Sequence, residues 1–96
     1  MLHRQELGPA ISDRDLIART AEGDRRAFEL IIERHAAAVL RLATAASDPS
    51  TAEDAMQQTF LSVYQHAASF RGDASVRTWV LTIARNTTYR LRGKTQ

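Results

Sequence analysis

The chain has 96 residues, 44% hydrophobic and 25% charged, with no cysteine. That length suggests one domain with a thin stability margin, and the composition excludes wholesale disorder. The lack of thiols excludes a disulfide framework and thiolate metal sites, and no apolar run approaches the ~20 residues of a membrane span.

The stretch from Met1 to Glu6 has no apolar core of the kind a signal peptide needs, so the expected location is the cytoplasm, without membrane insertion. The net charge of +2 hides an asymmetry. Residues 1–70 carry seven Arg against ten Asp or Glu, a balance of −3, whereas residues 71–96 carry five Arg and one Lys against Asp73 alone, a balance of +5. Such a concentration suits a polyanion. It also suits a solvated helix end, where cations favour the macrodipole.

Residues 1–11 lack periodicity and are broken by Gly8-Pro9, which predicts a flexible lead-in. Ser12-Asp13-Arg14-Asp15 resembles a capping box, with Asp in place of Glu. It predicts a first helix from about Asp13 to Glu22, stopped by Gly23. Asp24 can cap a second helix, in which Phe28, Ile31, Ile32, His35, Val39, Leu42, Ala43 and Ala46 recur at three- and four-residue steps. His35 lies inside that stripe. With no second His or Cys at metal spacing it reads as a core or boundary histidine rather than a ligand.

Ser47-Asp48-Pro49 ends the second helix, because a residue before proline avoids helical geometry. Ser50-Thr51-Ala52-Glu53 reads as the capping box of a third helix, about Thr51 to Ala68. At ~100° per residue, Met56, Phe60, Val63 and Ala67 cluster on one side. Asp54, Gln57, Gln58, Leu61 and Gln65 cluster on the other. Taken alone, that second face is a solvated surface with one stray leucine in preference to a protein-docking face.

A polar loop, Phe70 to Ser75, precedes a fourth helix. Val76, Trp79, Val80, Ile83, Ala84, Thr87 and Leu91 define its buried side. Arg77, Arg85 and Arg92 fall within a ~80° arc on the outer side, with Thr78, Thr82, Thr88 and Tyr89 around it and Asn86 at its edge. Long cations mixed with hydroxyls suit phosphate and sugar, and an amide at the edge can reach a base. The sum is an all-α domain of three main helices and a short first one.

No enzyme constellation stands out. The carboxylates Asp48, Glu53 and Asp54 lie near a helix start, where acids are expected anyway, and His3, His35 and His66 are scattered. Gly93-Lys94-Thr95 lacks the upstream glycine, strand and following helix of a phosphate-binding loop. No metal site, cofactor or catalytic residue is expected.

In order and spacing, several short segments together resemble the promoter-melting domain, region 2, of the extracytoplasmic-function (ECF) sigma factors. Gly23-Asp24 with Ala27-Phe28-Glu29 is similar to the family's first helical hairpin. Ala52-Glu53-Asp54, Gln57, Thr59-Phe60 and Val63-Tyr64 resemble its next segment. Phe70-Arg71-Gly72, Thr78-Trp79 and Ile83-Ala84-Arg85-Asn86 resemble its DNA-reading segment. The match covers roughly Ser12 to Lys94.

The resemblance implies a compact three- to four-helix sigma-2 domain over residues 12–94, with a tail at 95–96. It implies binding to core RNA polymerase and recognition and melting of the promoter −10 element. Asp54, Gln57 and Gln58 match positions that dock on the clamp helices of the polymerase β′ subunit, with Leu61 and Gln65 as neighbours. The resemblance thereby turns the solvated face into a docking face. The loop Phe70, Arg71, Gly72, Asp73, Ala74 and Ser75 matches a base-capturing loop for the non-template strand. Phe70 would wall its pocket, Asn86 would contact a base, and Arg77 and Arg85 would hold phosphates. Trp79 would brace the loop, and Tyr89 joins the DNA-facing set. For Phe70 and Trp79, plain core packing remains an equal alternative. The family's sigma-4 domain, which reads the −35 element, is absent, so the chain reads either as an excised domain, the favoured alternative, or as an unusual short protein. An anti-sigma factor covering the docking face is a further partner that the family admits. The competing reading is a helical protein-interaction module that never touches nucleic acid.

Overall fold

The computed structural model describes residues 10–94. The expected lead-in (up to residue 9) and the tail at 95–96 lie outside the described residues. Every regular element described is helical, as expected: α1 Asp13–Ala21, α2 Arg25–Ala46, α3 Pro49–His66, a 3₁₀ turn Ala67–Ser69, and α4 Val76–Lys94.

Local chemistry sets the boundaries. The Ser12 hydroxyl accepts from the Asp15 amide at 3.1 Å and starts α1. Gly23 closes it with φ +93°, a left-handed conformation that glycine adopts at little cost. The Asp24 carboxylate then accepts from the Ala27 amide at 3.1 Å and starts α2. These three signals act where the sequence placed them.

The start of α3 differs from expectation. Ser50 lies inside the helix, and the cap is Asp48, whose carboxylate accepts from the Thr51 amide at 2.9 Å and the Thr51 hydroxyl at 3.0 Å. Pro49 occupies the first helical position, where its fixed φ fits and its missing N–H would have gone unpaired anyway. The proline that ends α2 therefore also begins α3, two residues before the apparent capping box. The Thr51 amide, then the Thr51 hydroxyl, hold the Asp48 carboxyl below its ordinary value of 3.8, against a smaller opposing effect of desolvation.

Helices α2, α3 and α4 pack on one another, and α1 lies across α2 and the 3₁₀ turn. Leu16, Ile17, Ile31, Val39, Val63 and Val80 are fully buried between them. Burying each such side chain contributes about 1.5–3 kcal/mol. A smaller cluster of Ala43, Ala52 and Ala55, covered by Leu91, joins the far ends of α2, α3 and α4.

One partly buried polar clasp ties α1 to α2. Asp13 accepts from Arg34 at 3.0 Å and meets His35 Nε2 at 2.8 Å, while Arg34 also donates to the Ile11 carbonyl at 2.7 Å. His35 is 3% exposed, which makes it, of the core and boundary alternatives, a core histidine.

The wheel of α4 needs one correction. Thr88, expected on the outer arc, is fully buried and donates to the Ala84 carbonyl at 2.7 Å. α4 packs against both α2 and α3, so its buried sector is wider than a single stripe. A threonine tolerates that position because its hydroxyl is satisfied one turn back.

Candidate nucleic-acid interface

The loop that joins the 3₁₀ turn to α4 gets its shape from two residues. Gly72 has φ +80°. A Cβ there would meet the guanidinium of Arg14, which reaches over from α1, but that mobile end can move aside, so it is the positive φ that calls for glycine. Ser75 closes the loop and starts α4. Its hydroxyl accepts from the Thr78 amide at 3.0 Å and donates to the Thr78 hydroxyl at 3.1 Å. The Ser75 side chain is thus engaged in capping.

Between this loop and the first two turns of α4 lies an open hollow of about 230 Å³. Residues 69–74 line one side, and Thr78, Trp79 and Thr82 line the other. Phe70 and Trp79 meet within it as a tilted pair, centroids 5.2 Å apart at 59°. Both are half-buried and both pack against the hydrophobic core. The two alternatives for these rings are therefore compatible: each is core on one face and wall on the other. A tilted pair of this kind is itself stabilising, by about 0.5–1.5 kcal/mol.

The outer face of α4 continues from the hollow. Arg77, Arg85, Asn86 and Tyr89 are exposed. Arg77 makes no hydrogen bond or ion pair among the described residues. The Arg85 and Arg92 guanidinium groups lie over the Tyr89 ring, 5.6 and 4.7 Å from its centroid. That contact holds the Arg85 guanidinium at the surface without neutralising it. Arg92 is also structural, because it donates to the Ala46 carbonyl at the end of α2 at 3.0 Å. Asn86 and Arg85 stand outside the hollow rather than in its wall. The one acid of this quarter, Asp73, approaches Arg71 to 3.8 Å, with both side chains more than four-fifths exposed. Such a pair contributes little.

On α3, Asp54, Gln57, Gln58, Leu61 and Gln65 are all exposed, Leu61 by 57%. Gln57 and Leu61 border an apolar groove of about 630 Å³ between α2 and α3, floored by Phe28, Ile32, Met56 and Phe60. Tyr64 overhangs it, paired with Phe28 at 5.0 Å. The leucine that looked out of place on a polar face is thus the rim of an apolar groove. The periodicity could not reveal this, because the groove is made by two helices. Gln58 accepts from Arg90 of α4 at 3.3 Å, which links the two faces. Among the described residues no group of three or more His, Cys, Asp or Glu could hold a metal ion, and no helix is long and apolar enough to cross a membrane.

The profile of the sigma-70 region 2 family matches residues 31–96. The chain belongs to that family. Its region 2 sequence is 34% identical over 77 residues to the ECF RNA polymerase sigma-E factor of Haemophilus influenzae, covering 80% of this chain and 41% of that protein. It is 36% identical over 76 residues to the RNA polymerase sigma-H factor of Pseudomonas aeruginosa, covering 78% and 39%. The sigma-E factor of Escherichia coli K12 matches at 34% over 77 residues, covering 80% and 40%. The ECF kinship suggested by the motifs is borne out, and this region 2 domain spans about two-fifths of the length of these relatives. Arg14, which the motifs did not single out, is the main addition made by the fold.

Proposed function

We propose that this region 2 domain acts as part of a bacterial RNA polymerase sigma factor, docking on core polymerase and helping to recognise and open the promoter −10 element. In this reading it is a cytoplasmic transcription initiation module with no catalytic activity and no cofactor. The hollow beside the loop carries the proposal. It is open, walled by two aromatic rings, and adjoined by a helix face on which Arg77 and Arg85 meet no acid among the described residues.

Melting costs a few kcal/mol per unstacked step, and trapping an extruded base offsets part of that. Phe70 and Trp79 offer ring surface for the base, while the backbone of Gly72, Asp73 and Ala74 offers hydrogen-bonding groups. Arg77 and Arg85 then hold phosphates of the non-template strand. Asn86, one turn beyond the hollow, reads a neighbouring base edge, and Tyr89 flanks the strand. On the opposite helix, Asp54, Gln57, Gln58, Leu61 and Gln65 would meet the clamp helices of the β′ subunit, with an apolar residue of the partner entering the groove beside Leu61. An anti-sigma factor would compete for that same face. Residues 12–94 form the functional unit.

The test uses the chain's only tryptophan as reporter. Trp79 emission is followed while short single-stranded oligonucleotides are added, a −10-like set against scrambled controls. Saturable binding that favours the −10-like set is expected, and Asn86→Ala should lower that preference more than it lowers affinity. Equal response to every sequence would remove base capture. No response would leave a helical interaction module, to be tested by capture on isolated β′ clamp helices.

A further inference from the structure

Arg14 lies on α1, in the acid-rich part of the chain, yet its guanidinium packs against Gly72 of the loop. Among the described residues it makes no hydrogen bond or ion pair. Its neighbour Asp13 is already engaged by Arg34 and His35. Arg14 and Arg71 both border a second hollow, of about 380 Å³, between α1 and the loop. Phe70 and Arg71 line this hollow and the aromatic-walled one alike, so the loop is a partition with a cavity on each side. The one carboxylate bordering the second hollow is Glu22. It lies eight residues from Arg14 along α1, about 12 Å at the helical rise.

We propose that Arg14 is a phosphate-binding residue of the DNA interface, which it extends from α4 and the loop onto α1. With Arg71 it takes a backbone phosphate on the α1 side of the loop, next to the nucleotide whose base enters the aromatic-walled hollow. The assignment rests on the base-capture reading for the identity of that nucleotide. The Arg14 guanidinium lies beside the Gly72 backbone with its donors open. That suits bidentate phosphate binding, for which a lysine is a poorer substitute.

The test measures binding of the full chain, with Arg14→Ala and Arg14→Lys, to labelled −10-like and scrambled single strands over a range of salt. Arg14→Ala should weaken both sets by the same factor, about fivefold near ~0.1 M salt, and lower the slope of log K against log salt by about 0.7, the loss of one phosphate contact on a single strand. Arg14→Lys should keep the slope and recover part of the affinity. The sequence preference and the thermal midpoint should not move. An unchanged slope in Arg14→Ala would overturn the proposal, and a lost preference with an unchanged slope would make Arg14 a prop for the loop instead. If wild type shows no preference but Arg14→Ala still lowers the slope, base capture fails and the phosphate contact stands. Absence of binding by wild type at low salt would overturn both.

Discussion

The same residue type does two kinds of work at the two ends of this chain. Toward the N-terminus, Arg34 meets Asp13 at 3.0 Å, Arg26 meets Glu29 and Glu33 at 3.2 and 3.6 Å, and Arg19 approaches Asp24 to 3.9 Å. On α4 the partners are of another kind. Arg90 and Arg92 donate to neutral oxygens, Arg85 rests on an aromatic ring, and Arg77 makes no hydrogen bond or ion pair among the described residues. Acidic neighbours turn a guanidinium into a tie between elements of the fold. Where they are missing, as at Arg77 and Arg85 among the described residues, the charge remains for a partner outside the chain. Arg14 breaks the geography but keeps the rule: it sits between Asp13, which Arg34 and His35 engage, and Asp15, yet pairs with no acid among the described residues.

The contrast can be broken most severely at the clasp. Asp13→Ala should destabilise the domain by about 1–3 kcal/mol, because it strips the partner from buried His35 and half-buried Arg34. Chemical denaturation would measure this, and the salt dependence of DNA binding should stay as in wild type. Next in size, Asp54→Ala combined with Gln57→Ala should weaken binding to β′ clamp helices by about 1 kcal/mol or more, roughly fivefold. Circular dichroism should show an intact fold, and a weakened fold would mean the face is structural. Arg85→Ala sharpens the other side of the contrast. Stability should be unchanged, while affinity falls alike for all single strands and the salt slope drops by about 0.7. An unchanged slope would remove Arg85 from the phosphate contacts.

The smallest effect concerns Asp48, an anion whose partners are an amide and a hydroxyl rather than a cation. Its carboxyl is held below the ordinary 3.8, first by the Thr51 amide. The stability it contributes is therefore present above that value and lost as pH falls through the lowered one. Thermal melts should place Asp48→Ala below wild type at pH 7, by less than Asp13→Ala, with the gap closing in acid. A gap that persisted at low pH would show the cap to act independently of its charge.

Much of this fold is legible in the chain because its signals are local. Ser12, Gly23 and Asp24 each act within four residues, and the stripe of α2 buries Ile31, His35, Val39 and Ala43 as its spacing required. Competition between local signals explains the misplaced start of α3. Ser50 and Glu53 form a plausible box, but Asp48 followed by proline at the first helical position wins. Features made by two elements at once are not legible. The burial of Thr88 depends on α4 having neighbours on two sides, and the groove beside Leu61 depends on α2. The seat of Arg14 depends on a contact spanning most of the chain. The candidate site divides in the same way. Its loop and aromatic rings could be named from a contiguous motif, whereas the second hollow could not.

The packing of α3 directly on α4, with Arg90 and Gln58 spanning their exposed edges, has a mechanical consequence. The interlocked side chains between them leave little freedom for the two helices to swivel independently. Whatever grips the outer face of α3 thereby aims the cationic face of α4, as a jig clamped on one side holds a tool on the other at a fixed angle.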